Sequence, residues 1–153
     1  MPRRGPRDLT LVQQAIAIRA KWPAEHASLS HSVLRWEGRL QPTPLSPPYK
    51  VLVVYGMDAR PFVWVLDPPL DAGHRERLPH VYSEDRLCLY TPGEWNGSMF
   101  IATTIIPWAA EWLFHYEVWK ATDRWTGGGH VYAPPDDDLL SFGCAAPKWR
   151  SDR

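Results

Sequence analysis

The chain has 153 residues and a mass of 17.6 kDa, enough for one domain with a substantial core and no comfortable room for a second. Seventeen basic and seventeen acidic residues cancel, so no global positive field recruits nucleic acid; Arg3, Arg4 and Arg7 form only a short basic arm, and a protein partner is expected instead. Two cysteines, and six histidines without HExxH or CxxC spacing, offer neither a disulfide framework nor a metal site; no cofactor is expected, and with no signal core and no run of roughly 20 apolar residues the chain reads as soluble and suited to a reducing cytoplasm.

Residues 1–8 read as a disordered arm. Asp8 then can cap a helix that runs to about Trp22, where Pro23 stops it. Leu9, Val12, Ile16 and Arg19 mark one face of this helix and Leu11, Ala15, Ile18 and Trp22 its neighbour, a broad apolar stripe suited to packing on a sheet. Residues 33–40 read as a first strand, with Leu34, Trp36, Gly38 and Leu40 alternating against Arg35, Glu37 and Arg39. The four prolines of residues 41–48 exclude that loop from a sheet interior. Residues 49–55 make a nearly continuous apolar strand, and a turn at 56–59 leads to a third strand over 61–66. Short strands joined by tight turns imply an antiparallel meander with the first helix on one face, an α+β plan.

Pro68-Pro69 and the polar residues 71–77 carry the chain to the stretch 78–95, which holds Cys88. The spacing places Cys88 in a short apolar strand over 87–90, between a polar turn at 83–86 and a Pro92-Gly93 turn, on an exposed rim. A lone cysteine between leucines is ordinarily a small buried hydrophobe. A nucleophilic cysteine needs partial exposure and a polarising neighbour, and His80, eight residues upstream, is a candidate for the second. Beyond Trp95, Asn96-Gly97 turns the chain, and Pro107 suits the first position of a helix running to about residue 121. Trp108, Trp112, Tyr116 and Trp119 recur at helical spacing beside Leu113 and mark its buried face; His115 reads as structural or surface. Three glycines then precede His130, giving either a flexible link or a close backbone approach. Residues 133–153 lack periodicity and read as a tail, and Cys144 within it has no assigned role.

Leu78-Pro79-His80, Cys88-Leu89 and the downstream Trp95 resemble the His-Pro-Asn, Cys-Leu and Trp series of ubiquitin-conjugating enzymes, with the same eight-residue step to the cysteine. The likeness is closer to the bacterial branch. His80-Val81-Tyr82, Leu87-Cys88-Leu89-Tyr90, Pro107-Trp108, Glu111-Trp112-Leu113, Tyr116-Glu117 and Trp125-Thr126-Gly127 are similar to motifs of the stand-alone conjugating proteins of cyclic-oligonucleotide antiphage signalling (CBASS) operons. Two positions depart from the motif: Leu78 replaces its His, and His80 its Asn.

The resemblance covers residues 9–132 and implies a minimal ubiquitin-conjugating (UBC-like) fold: N-terminal helix, antiparallel meander, active-site segment and central helix. The two further C-terminal helices of eukaryotic relatives are not expected here. It also implies that Cys88 accepts the C-terminal glycine of a partner protein as a thioester, the partner being a cGAS-like nucleotidyltransferase, and that an activating enzyme can dock on the first helix. Cysteine suits that role because thiolate is nucleophilic near neutral pH and its thioester stays reactive toward amines. His80 would stabilise the oxyanion as a donor or serve as a base, since an ordinary imidazole titrates near neutrality. The loop after the central helix passes beside the cysteine in the family, which makes Asp123 and His130 further site candidates; the competing reading of His130 is an incidental loop histidine. An adaptor of the same fold that binds its partner without covalent chemistry is the alternative function.

Overall fold

The computed structural model describes residues 7–56 and 60–127. Helix α1 (Leu11–Lys21) begins at Thr10, not Asp8, because Thr10 and Gln13 form a reciprocal capping box: each backbone N–H donates to the other's side-chain oxygen, at 3.1 and 2.8 Å. Of the two apolar faces expected on α1, one is used. Ala15 and Ile18 are buried and Leu11 and Trp22 half-buried, whereas Val12 and Ile16 are 55% and 61% exposed. Between the buried apolar residues sits Gln14, fully buried. Its Nε2 donates to the Met99 carbonyl at 2.8 Å and its Oε1 accepts the Ile101 N–H at 2.9 Å, so one amide fastens α1 to the 3-10 turn at Ile101–Thr103.

The sheet has four antiparallel strands in chain order, β1 (His26–Ser30), β2 (Val33–Leu40), β3 (Tyr49–Tyr55) and β4 (Pro61–Asp67). Three match the expected strands; β1 was not anticipated. Its segment buries only Ala27, and the turn into β2 places His31 and Ser32 at φ 48° and 62°, positions where glycine or asparagine would have signalled a hairpin. The alternation in β2 is as expected. Leu34, Trp36, Gly38 and Leu40 face inward, opposite Tyr55, Val53, Val51 and Tyr49 of β3. Gly38 is required here by its neighbour: a Cβ would lie 2.1 Å from Cζ2 of the fully buried Trp36, whose indole lies over position 38. Trp22 closes this corner edge-on to Trp36 at 6.0 Å.

After a cis Asp67–Pro68 bond the chain crosses to the second helix, α2 (Ile105–Thr122), and is tied to it on the way. The Asp71 N–H donates to Tyr116 Oη at 2.9 Å, and Lys120 Nζ lies 2.7 Å from Asp71 Oδ2, which holds that carboxyl below its usual range. Arg75 lies over the Trp119 ring at 4.1 Å and donates to the Trp119 carbonyl at 3.0 Å, satisfying the helix end. The proline-rich loop is anchored by Glu117, which accepts from Ser46 Oγ at 2.6 Å and Tyr49 Oη at 2.9 Å; burial, then this carboxylate, pushes the Tyr49 hydroxyl up. Helix α2 starts two residues earlier than expected. Pro107 therefore sits within the first turn, where its missing N–H has no intrahelical acceptor to forgo. Ile105, Ile106, Ala109, Trp112, Leu113, Tyr116 and Trp119 form the buried face and join the sheet residues in one core. The α+β plan expected from the sequence is the observed one. The expected tail, residues 133–153, and residues 1–6 of the arm lie outside the described residues.

Two substitutions test this packing. Gln14→Leu keeps the volume but strands a part-buried carbonyl and a buried N–H, and should cost about 2–4 kcal/mol. Gly38→Ala forces Trp36 out of place and should cost about 1–3 kcal/mol. Urea denaturation of both variants provides the check; midpoints equal to that of the parent chain would contradict these roles.

Candidate functional site

The segment that carries Cys88 is held from both sides. On the sheet side the Leu87 N–H donates to the Val63 carbonyl of β4 at 2.9 Å. Arg86, almost buried, lays its guanidinium over Phe62 and Tyr82 at 4.5 and 4.7 Å. Between Pro79 and Cys88 the chain doubles back on itself, with a bridge between Val81 and Leu87 and the Tyr82 N–H on the Arg86 carbonyl at 2.8 Å. The reversal at Ser83–Asp85 places Glu84 and Asp85 at φ 60° and 57°.

This corrects the expected setting of the cysteine. Residues 87–90 are not a strand on an exposed rim: Leu87, Cys88 and Leu89 are consecutive buried residues, and Cys88 is 2% exposed. The reason is that β4 covers one side of the segment and α2 the other, so three apolar residues in a row find apolar surroundings without strand alternation. Cys144 and His130 lie outside the described residues.

His80 stands next to Cys88 at the level of the backbone. Its carbonyl accepts the Cys88 N–H at 3.0 Å and the indole N–H of Trp112 at 3.1 Å, so both lone pairs of one buried oxygen are used. Its φ of 51° is the left-handed conformation, rare outside glycine, asparagine and aspartate. The residue is 4% exposed, and its imidazole stacks on Trp125 with centroids 4.7 Å apart and planes at 28°.

The far end of the segment is fastened to the start of α2. Thr91–Glu94 is a turn with Pro92 and Gly93 at its corners, Gly93 at φ 94° as a type II turn demands. Trp95 follows, buried, and donates its indole N–H to Thr104 Oγ1 at 3.0 Å. Tyr90 leans on Trp95 and Trp108, and burial pushes its phenol up to about 12, so near neutral pH it donates and does not act as a base. Beside the segment opens a groove of about 390 Å³ lined by Leu70, Leu78, Val81, Tyr82, Glu84 and Asp85 among others, a volume in the range of ligand and peptide sites.

Of the two loop candidates Asp123 alone is described, and it and His115, read as structural or surface, have anchoring positions. Asp123 ends α2 in the left-handed conformation, φ 60°, with its N–H on the Trp119 carbonyl at 2.9 Å; its carboxylate pairs with Arg75, and with His74 at 3.5 Å. His115 Nδ1 is 2.6 Å from Thr126 Oγ1 and holds the strand of chain that carries Trp125. Sequence reasoning met Trp125 only as a motif member and read Trp112 as core from its helical spacing; neither tryptophan's contact with His80 has a local sequence signal. Among the described residues no group of three or more His, Cys, Asp or Glu could hold a metal ion, and no helix is long and apolar enough to cross a membrane.

Comparison with curated proteins returns no match. A family model described as type II CBASS E2 protein matches residues 14–132, from within α1 to beyond the Trp125-Thr126-Gly127 motif, and so includes His80, Cys88, Trp112 and Trp125. The chain belongs to the type II CBASS E2 proteins, an E2-like component of CBASS antiphage operons that works with a protein partner.

Proposed function

We propose that the chain is a cysteine acyl carrier: reduced Cys88 takes the C-terminal glycyl group of a partner protein as a thioester and passes it to an amine. The thiolate attacks the carbonyl carbon of the activated glycine, the new S–C bond forms, and the activating group departs with the electron pair. In the second step an amine nitrogen attacks the same carbon, loses a proton, and the Cys88 thiolate leaves. The partner that the resemblance to CBASS conjugating proteins favours is the cGAS-like nucleotidyltransferase of the same system.

The observation that carries this reading is the juxtaposition of the two motif residues across one hydrogen bond, Cys88 N–H to His80 carbonyl. It also bears on the oxyanion donor. The backbone N–H groups of Leu87 and Cys88 are both engaged, on Val63 and His80, so the His80 imidazole is the candidate to meet the developing charge. The burial of Cys88 requires that its sulfur be uncovered before a carbonyl can approach. That same burial favours the second reading, an adaptor of this fold in which Cys88 only packs.

Reduced protein, incubated with a peptide bearing a C-terminal glycyl thioester of a small thiol, separates the two. The acyl-carrier reading predicts a hydroxylamine-labile mass increase of one peptide, absent from Cys88→Ala, with stability lowered by only about 1 kcal/mol for the lost thiol. No mass increase in the parent chain, or an adduct that survives in Cys88→Ala, would refute it. For the second residue, His80→Ala should slow transfer by about 10²–10³-fold, whereas His80→Asn, which restores a neutral donor, should keep most of the rate. If His80→Asn is as slow as His80→Ala in folded protein, and the parent rate falls as pH drops through the imidazole pKa, His80 is a base and not a donor.

A further inference from the structure

We infer that Trp125 is the positioning residue for His80, setting the plane of its imidazole for acyl transfer; the inference rests on the acyl-carrier reading of Cys88 and extends it to a residue beyond the cysteine and its histidine. Four contacts place the indole. Trp125 stacks on His80 at 4.7 Å, nearly parallel, and leans on Trp112 at 5.5 Å and on His115 at 5.9 Å. Its neighbour Thr126 is bonded to His115 at 2.6 Å. The chain reaches this position only because Asp123 turns in the left-handed conformation at the end of α2, where Arg75 and His74 hold its carboxylate.

The arrangement gives His80 two separate restraints. Trp112 and the Cys88 N–H fix its carbonyl, and therefore its backbone, while Trp125 covers one face of its ring. A histidine backbone alone leaves rotation about the Cβ–Cγ bond free, and that torsion is broad for imidazoles. A planar indole pressed on one face removes that freedom, because a tilted imidazole would lose the stacked contact. An oxyanion donor is useful only when its N–H is aimed before the charge develops, so the indole acts on the reaction through the imidazole and touches no reacting atom. The motif asparagine that His80 replaces is shorter and has no aromatic face; the histidine needs a ring to lie against, and Trp125 supplies one.

A purely structural tryptophan would require apolar volume, whereas this role requires a flat aromatic surface. Trp125→Phe keeps the plane and Trp125→Leu keeps only apolar bulk. With the reduced chain and the peptide glycyl thioester, Trp125→Phe should transfer within a few-fold of the parent, and Trp125→Leu should lose about tenfold, the scale of a small misplacement of a catalytic group. In a His80→Ala background the Trp125→Leu change should cost less than about twofold, because two residues acting through one group do not add. Equal losses in both backgrounds, or Trp125→Leu no slower than Trp125→Phe, would overturn the inference. The ring protons of His80 give a readout without chemistry: stacking predicts NMR resonances upfield of an ordinary imidazole, returning to ordinary values in Trp125→Phe less than in Trp125→Leu. Unshifted resonances in the parent chain would refute the contact. A parent chain that transfers no peptide refutes the acyl-carrier reading instead, and the resonances alone then decide whether Trp125 holds His80.

Discussion

One buried oxygen, the His80 carbonyl, accepts hydrogen bonds from the Cys88 N–H and the Trp112 indole, and the position of the cysteine depends on it. A carbonyl in apolar surroundings must be satisfied, and satisfying both lone pairs with donors from two elements makes the geometry mutually enforcing. Trp112 lies in the middle of α2 and is itself 2% exposed, so it cannot shift without disturbing the helix–sheet core. The central helix thereby sets the height of Cys88 above the sheet. The Leu87 N–H on Val63 sets the same segment from the opposite side, and a cysteine between two such fixed points has little freedom to drift.

Such a segment is costly to build. His80, Glu84 and Asp85 all have positive φ within six residues, and Asp123 adds a fourth beside them where the chain leaves α2. Non-glycine residues in this region cost on the order of 1–3 kcal/mol each and persist where the surrounding structure over-determines them, which is why they gather at functional sites. The compensating contacts are of several kinds: two backbone bridges across the reversal, Arg86 sandwiched on aromatic rings, the Asp123–Arg75 pair, and the stack of Trp125 on His80. Gln14 does comparable work at the other end of α2, joining α1 to the turn that precedes it through two hydrogen bonds from one amide.

The parts of the fold governed by period were legible in the sequence. The inward residues of β2 and the aromatic face of α2 followed from spacing alone, since burial of one face is what spacing records. The start of α1 was misplaced by two residues because Asp8 and Thr10 are both good caps, and only the reciprocal bond with Gln13 decides between them. Strand β1 was illegible for want of apolar residues and of a glycine at its turn. Gln14 has no local signal of burial, because its two backbone partners lie 85 and 87 residues away in sequence. At the site, motif spacing paired Cys88 with His80, which the backbone then joins, but polar flanks at 83–86 suggested an exposure that neighbouring elements remove. Nothing local in the sequence could connect Trp125 to His80, because that contact needs the reversal of the chain at Asp123.

In the proposed function, Cys88 is the residue that receives the partner's C-terminal glycine. It is tested by tandem mass spectrometry of the peptides obtained after incubating the reduced chain with the proposed nucleotidyltransferase partner and whatever activating enzyme or nucleotide the system requires, quenched under acid to preserve thioesters. The account predicts a cross-linked peptide in which the partner's terminal glycine is joined to the sulfur of Cys88, lost on treatment with hydroxylamine. A glycine joined only to a lysine or to another residue of this chain, or two proteins that bind without any covalent species, would contradict it.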